Sequence, residues 1–421
     1  MKLHIAQTLR YLVTGLATSL LLAGPTEAQL RIGEALALAV EHHPSVQAKR
    51  NELRGANERL DASEWQRFPS VSVQTSAAQP NTGSDSIGSV RVDQPLWAGG
   101  RIDADIAASE ARKLAATAAL LEAEQQILVR TASAFAEMIR LQLRMEATEE
   151  NIKEHQRLLE LIQRRAGSQI NPDSDVIMAR ARLEQARSEG IQFRNMAANA
   201  RADLEQLIGR TVTQLTIPPH DLLPLETLES SVKAAVAYAP ALLRIESELR
   251  AAQADVETRK AVYWPTLSAR YERIAGGQTA YSTAYLALTF QPGAGLSAQS
   301  AIQEALARQD AAQNNLESAR KDLIDKVRTD WNQSQTTRAD ALVLAELVGA
   351  TQAMYESFMR QFPVGRKSWL ELLNARREAT QARYSLADAR WSGFLAAVKV
   401  AVATGHVAAN HPLISESTAQ P

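Results

Sequence analysis

Residues 101–166 read RIDADIAASEARKLAATAALLEAEQQILVRTASAFAEMIRLQLRMEATEENIKEHQRLLELIQRRA, a run without a glycine or a proline. Those two residues are the strongest punctuators of helices, whereas the Ala, Glu, Leu, Arg and Gln that fill this stretch favour them. At a rise of 1.5 Å per residue, one helix over the whole run would span about 100 Å. No globular domain accommodates such a rod. Alanine at many helix-facing positions suits close helix packing, so the run reads as part of an extended coiled coil. Residues 296–362 form a second such run, interrupted only by Gly349.

The two runs belong to two copies of one pattern. Pro44 and Pro240 stand 196 positions apart, and so do Phe68-Pro69 and Trp264-Pro265, Phe135 and Trp331, and Gly209 and Gly405. Asp175-Val176-Ile177-Met178-Ala179-Arg180 aligns with Glu371-Leu372-Leu373-Asn374-Ala375-Arg376 at the same offset, and Gln185-Ala186-Arg187 with Gln381-Ala382-Arg383. Gln94-Pro95 and Gln291-Pro292 slip by one residue. Repeats of this kind define the architecture before any single element does. The expected halves are 29–226 and 227–409, joined by a Pro-rich stretch around Pro218, Pro219 and Pro224, with a disordered polar tail at 410–421.

Each half sets out the same elements. A helical stretch comes first, about 33–66 and then 228–262, and an aromatic-Pro pair ends it, because the residue before proline is pushed out of the α region. Alternating strands follow at Ser70–Gln74 and Ser89–Gln94, and again at Thr266–Tyr271 and Ala284–Phe290. Small polar linkers of turn composition, Gln79–Gly88 and Ala275–Ser282, lie between them. Glycine-containing breaks at Ala98-Gly99-Gly100 and Pro292-Gly293-Ala294-Gly295 then return the chain to helix.

The start of the chain reads as an export signal. Lys2 and Arg10 supply the positive end, Leu12–Ala23 an apolar stretch, and Thr26-Glu27-Ala28 a small-residue cleavage site, so the mature chain is expected from Gln29. The apolar stretch is shorter than the roughly 20 residues a helical span needs. No later segment is long and apolar enough to cross as a helix, a test that is blind to β-barrels. Cysteine is absent, which excludes disulfides, thiol catalysis, thiolate metal sites and an N-terminal lipid anchor on Cys. A net charge of -1 gives no electrostatic case for nucleic acid.

Export and strands constrain each other. Four strands cannot close a membrane barrel, which needs at least about eight, and open edges are not tolerated in lipid. Strands that enter a membrane must therefore be pooled from several chains. Trp65, Phe68, Trp97, Tyr263 and Trp264 all fall at the helix-facing ends of the strands. They suit an interfacial aromatic girdle, and equally a small hydrophobic knot where helices meet a hairpin.

With these features in view, nearly the whole mature chain resembles the TolC or outer-membrane efflux protein family. The resemblance rests on the duplication, on helix starts such as His43-Pro44, and on Gln94-Pro95-Leu96-Trp97-Ala98-Gly99-Gly100-Arg101. Its most specific part is Val364-Gly365-Arg366-Lys367-Ser368-Trp369-Leu370-Glu371-Leu372-Leu373-Asn374-Ala375, which looks like the family's periplasmic tip and the helix start after it. The resemblance implies a mainly α fold with a small β part. It implies a homotrimer whose twelve pooled strands form a barrel in outer-membrane lipid and whose long helices form a coiled-coil α-barrel in the periplasm. A periplasmic adaptor and an inner-membrane pump, ABC-type or proton-driven, would engage the tip. Gly167, Val364, Gly365, Arg366, Lys367 and Ser368 would make the adaptor contact. Glu371, Asn374 and Asp175 would stand at the channel gate.

The tip departs from the best-known members. Glu371 and Asn374 stand where those members have two aspartates, so a trimer would present one carboxylate ring there, setting cation affinity at the closed end. Glu371 also stands three residues after Ser368, the spacing of a capping box, and the two roles are compatible. Phe362 replaces a frequent tyrosine and cannot supply its hydroxyl. A latch would then use Arg366 or Lys367 with Asp173 or Asp175. Asn171-Pro172-Asp173 reads as an N-cap followed by proline, and Gly167 and Gly365 mark the two tip turns.

Other motifs are weaker. Gly293-Ala294-Gly295-Leu296-Ser297-Ala298 fits a loose GxGxxA but lacks a βαβ setting. His42-His43 has no third metal ligand at useful spacing and reads as a solvated helix end, so neither metal nor cofactor is expected. Glu149-Glu150 and Arg376-Arg377-Glu378 read as solvated helix faces. No nucleophile motif points to an enzyme. The expected function is passive exit from the cell, and the likeness of Asp175–Leu183 and Gln185-Ala186-Arg187 to the family's type I secretion and adhesin-export members implies type I protein secretion. The alternatives are drug or metal efflux, and an exported coiled-coil scaffold that never enters a membrane.

Overall fold

A computed structural model of the chain describes residues 29–76, 87–219, 223, 225–275 and 280–407. The expected export signal, the 410–421 tail, Pro224 and most of the two strand linkers lie outside these residues. The first half runs through α1 (Ile32–His42), α2 (Pro44–Glu64), β1 (Ser70–Ser76), β2 (Ile87–Trp97), α3 (Arg101–Gly167) and α4 (Asp173–Ile208). The second half runs through α5 (Leu228–Tyr238), α6 (Pro240–Lys260), β3 (Thr266–Ala275), β4 (Tyr281–Thr289), α7 (Ser297–Gln361) and α8 (Trp369–Ala403).

The glycine- and proline-free runs are single helices of 67 and 65 residues, each about 100 Å long. Gly100, with φ 86°, turns the chain into α3. The helical stretches expected over 33–66 and 228–262 are each two helices instead of one. Pro44 and Pro240 force the preceding His43 and Ala239 to ψ 129° and 106°, which ends one helix and starts the next with proline at its first position. His43 also caps α2, its Nδ1 accepting from the Ser45 backbone N–H at 3.2 Å.

All four strands pair antiparallel in the order β1-β2-β3-β4. They are longer than expected, because the alternation of side chains continues beyond the short windows legible as strand, although β4 ends at Thr289, one residue before the expected Phe290. Pro95 lies inside β2, at a register shift against β3 between Pro95 and Trp97. A proline lacks the ladder donor, and a bulge is where that loss is tolerated.

Toward the sheet, α3 is flanked by α2 and α6, with α7 beyond α6. Toward the opposite end it is flanked by α4 and α8, with α7 beyond α8. The main core sits midway, where Ala35, Leu36 and Val40 of α1 meet Ile127, Leu128, Phe135 and Ile139 of α3, Leu204 of α4 and Phe394 of α8. A second cluster, including Leu158, Ile162, Tyr355, Phe362, Trp369 and Leu372, closes the far tip. Alanines 108, 111, 115 and 118 are buried along α3 toward the sheet, where neighbouring backbones come close.

Candidate functional site: an open sheet and a helical tip

The register divides the sheet into two unlike faces. Val71 and Val73 of β1 oppose Val92 and Val90 of β2, Val92 opposes Tyr271 of β3, and Ala269 and Leu267 oppose Leu286 and Leu288 of β4. This face is apolar, and Val71, Val73, Leu286 and Leu288 are each exposed by about two thirds. Arg273 is the charged exception, beside Val90 and Ser282 near the end remote from the helices. The other face carries Ser70, Ser72, Gln74, Arg91, Asp93, Arg270 and Glu272. There Arg91 pairs with Glu272 at 2.9 Å and Arg270 with Asp93 at 2.8 Å, both across strands. An antiparallel sheet with one apolar and one polar face must put the apolar one against something other than water.

The five aromatics at the helix-facing ends are all exposed, between 46 and 64 %. Trp65 lies 4.9 Å from Phe68, and Trp97 meets Trp264 edge-on at 6.2 Å. They form a collar on the surface of the single chain. Gly99 is required beneath it: at φ 60°, a Cβ there would stand 2.5 Å from the Trp264 Cβ.

At the opposite end, α3 and α4 are joined by one turn and α7 and α8 by another. The expected N-cap at Asn171 is a correction. Helix α4 begins at Asp173 with Pro172 in the cap position and no side-chain cap. Asn171 instead accepts from Arg165 Nε at 2.8 Å and donates to Asp175 Oδ2 at 2.9 Å. The two turn glycines also differ. Gly365 has φ 77°, whereas Gly167 ends α3, and the left-handed residue of the first turn is Gln169.

Ser368 caps α8, and its hydroxyl and the Glu371 carboxylate exchange backbone bonds as a capping box. Glu371 takes a further bond from Lys367 Nζ at 2.7 Å. These donors, Lys367 first and Ser368 second, hold the Glu371 carboxyl down at about 2. Lys367 is thus occupied on its own turn, as is Asp175 with Asn171, and neither makes the cross-turn contact expected of a latch. Arg165 does, and sequence reasoning missed it. Its guanidinium stacks 4.9 Å from the Phe362 ring and donates to the Pro363 carbonyl at 3.3 Å. Phe362 is buried against Trp369, with ring centres 5.5 Å apart. Val364 is exposed at the outermost turn, Asn374 is half-buried on α8, and Arg366 extends the same turn.

Arg376 is a second correction. It is 2 % exposed, not on a solvated face. Its Nε donates to Asn151 Oδ1 at 3.0 Å, its guanidinium lies 5.4 Å from the Tyr355 ring, and Glu150 stands 3.9 Å away while also pairing with Arg383. Tyr355 in turn donates to Glu154 at 3.0 Å. A periodic reading of α8 could have flagged position 376, since it falls on the buried stripe with Leu372, Leu373 and Thr380. The GxGxxA stretch lies between an antiparallel strand and α7, with no parallel βαβ unit. His42 is exposed at the end of α1. No group of three or more metal-ligating side chains occurs among the described residues, and no described helix is long and apolar enough to cross a membrane.

Rods of about 100 Å thus carry a two-faced sheet at one end and tied turns at the other, the make-up of an elongated helical subunit. Two stretches, residues 35–210 and 232–406, match the family model described as outer membrane efflux protein. The chain belongs to that family, and its place is the outer membrane. It is 21 % identical over 335 residues to the outer membrane efflux protein BepC of Brucella suis biovar 1 (strain 1330), covering 76 % of this chain and 72 % of that protein. It is 21 % identical over 282 residues to the alkaline protease secretion protein AprF of Pseudomonas aeruginosa, covering 63 % of this chain and 59 % of that protein. Among solved structures, CusC superposes with a TM-score of 0.80 at 15 % identity, over 90 % of this chain and 92 % of that one. The outer membrane protein VceC of Vibrio cholerae superposes with a TM-score of 0.77 at 17 % identity, over 89 % and 96 %. These likenesses are to channels and secretion proteins, not to enzymes, and the structural ones carry the fold alone.

Proposed function

We propose that three copies of this chain pool their sheets into one twelve-stranded barrel, and that the duct so formed gives passive exit to proteins in type I secretion. The carrying observation is the two-faced sheet. Its apolar face suits lipid, its ion-paired polar face suits a water-filled lumen, and edge strands β1 and β4 are free to pair with those of neighbouring copies. The five-residue collar would then lie at the periplasmic interface of the outer membrane. Each chain is a tandem duplication, 29–226 and 227–409, in which both halves supply two strands and a helical hairpin. Family membership leaves no place for the soluble scaffold. The likeness to AprF, an alkaline protease secretion protein, supports protein secretion as the cargo class, and the likeness to BepC, an efflux protein, keeps drug or metal efflux as the competing one.

The tip would receive a periplasmic adaptor and an inner-membrane pump through Gly167 and residues 364–368, and Glu371, Asn374 and Asp175 would narrow its mouth. Gly365 is a poor place to probe docking, since any side chain at φ 77° strains the turn itself. Val364→Trp keeps the turn and adds bulk, so it is expected to assemble normally and lose export. The deciding experiment is single-channel conductance of the purified mature protein in planar bilayers, with its mass in detergent measured alongside. A conducting trimer supports the duct, and a monomer that never conducts overturns it.

A further inference from the structure

The apolar face of the sheet changes character along its length, and the register places the change in the same rows of all four strands. Moving away from the helices, Val71, Val92, Tyr271 and Ala284 form one row of that face, and Val73, Val90, Arg273 and Ser282 form the next. Beyond it stand only Thr75, Gly88 and Ala275. Tyr271 is 42 % exposed, and Arg273 is exposed as well. Among the described residues, no carboxylate lies within ion-pair distance of Arg273. The nearest acidic residues along these strands, Glu272 and Asp93, point to the other face and are engaged there by Arg91 and Arg270. From Trp264 of the collar to Arg273 is nine residues of extended chain, about 30 Å at 3.4 Å per residue. Tilted by about 40°, as strands of membrane barrels are, that length rises about 23 Å, close to the roughly 25 Å of their apolar band.

Arg273 thus falls at the boundary opposite the collar, with a tyrosine one row inside it, the order in which amphipathic side chains meet a membrane surface. A cation at that depth opposes insertion little, whereas one at mid-depth opposes it strongly. We infer that Arg273 is a docking site for the headgroup of an anionic, phosphate-bearing lipid of the outer leaflet, one per chain. Its guanidinium offers a fork of donors to two phosphate oxygens, and the Ser282 hydroxyl beside it offers another. Gly88 and Ala275 leave room for the headgroup in the next row. The acyl chains would lie on Val90, Val92 and Leu286 below, a contact that a free phosphate ion lacks and that selects the lipid. The inference rests on the pooled-barrel reading, which puts this face in lipid.

The test is native mass spectrometry of the full mature protein in neutral detergent, with phosphatidylglycerol and phosphatidylcholine added in competition. Phosphatidylglycerol should be retained in preference, at one per chain. Arg273→Gln should lower that preference about fivefold, the worth of one arginine at an anionic membrane surface, while Arg273→Lys keeps part of it. Arg360→Gln, an equal change of charge in the last turn of α7 at the tip, should leave the preference as in the wild type. Equal retention of the two lipids by the wild type, an unchanged preference in Arg273→Gln, or an equal loss in Arg360→Gln overturns the site. Inorganic phosphate, set against chloride at matched ionic strength, should not displace the lipid, and displacement would make this a free-phosphate site and overturn the lipid assignment. Bilayer recordings separate the two readings. A trimer that conducts without lipid preference keeps the duct and loses the site, and a protein that retains phosphatidylglycerol through Arg273 but never conducts keeps the site and loses the duct.

Discussion

Glu371 shows how much one side chain at the tip can be asked to do. It caps α8 with Ser368 and pairs with Lys367. A carboxyl depressed on folding contributes its stability fully above the unfolded value of 4.5 and loses it as pH falls toward about 2. The melting difference between wild type and Glu371→Gln should therefore be constant above that value and close across this window, which acid melting curves would show. The same pairing moderates any gate. Glu371→Ala should weaken cation block of the closed channel, whereas Lys367→Ala should strengthen it by baring the carboxylate, and unchanged block in both removes this pair from the gate. His155 has the same sign by a different route, since burial first, then Arg376 and Arg182, holds its folded pKa at about 4, below the ordinary 6.5. The unfolded chain takes up that proton first, so stability falls as pH drops through this interval and His155→Phe should flatten the slope. Arg165 holds the two tip turns together, and bonds of a charged donor are worth about 1.5–3 kcal/mol. Arg165→Ala should raise resting conductance by about tenfold or more.

At the scale of elements, helix contacts depend on small residues as much as on large ones. Gly393 of α8 faces Thr337 of α7, and a Cβ would stand 2.6 Å from the Thr337 hydroxyl. Gly393→Ala should destabilise the pair by about 1–3 kcal/mol, the usual cost of overpacking, as read by thermal unfolding. Phe135, fully buried in the central core, should cost about 3–5 kcal/mol on conversion to Ala. Its counterpart in the other repeat, Trp331, is only half-buried and spends its indole N–H on the Glu226 carbonyl at 2.9 Å. Equivalent positions in the repeats thus carry different loads. The duplication was legible from matched residue types, whereas the load at each position depends on which helix packs above it. The proline breaks at 44 and 240 were legible too, but only where the rule for residues before proline was applied inside the helical stretches as well as at their ends.

For the whole molecule, the sheet is the part that a single chain leaves unfinished. Leu286 lies on the apolar face of edge strand β4 and is exposed by 67 %. Leu286→Arg should oppose insertion by up to about 2–4 kcal/mol at mid-membrane depth, lowering the yield of conducting channels without unfolding the helices. Circular dichroism and channel counting would separate the two effects. A similar change at Ser72, on the polar face, should leave insertion intact and alter conductance.

The long helices, the paired halves, the four strands and the aromatic ends follow from the sequence alone, because each is set by local rules: breaker residues, alternation of period two, and proline's effect on its neighbour. The capping box at Ser368 and Glu371 is of the same kind, since three residues of spacing define it. The tertiary structure alone decided which charges are buried and which are shared. Arg376 looks like its neighbour Arg377 in sequence, yet one is enclosed by three helices and the other borders a groove. Arg165 reaches a carbonyl 198 positions away. His155 is buried, and its Nδ1 has no hydrogen-bond partner. Such contacts join residues whose separation along the chain carries no signal, and their energies depend on the desolvation that packing imposes.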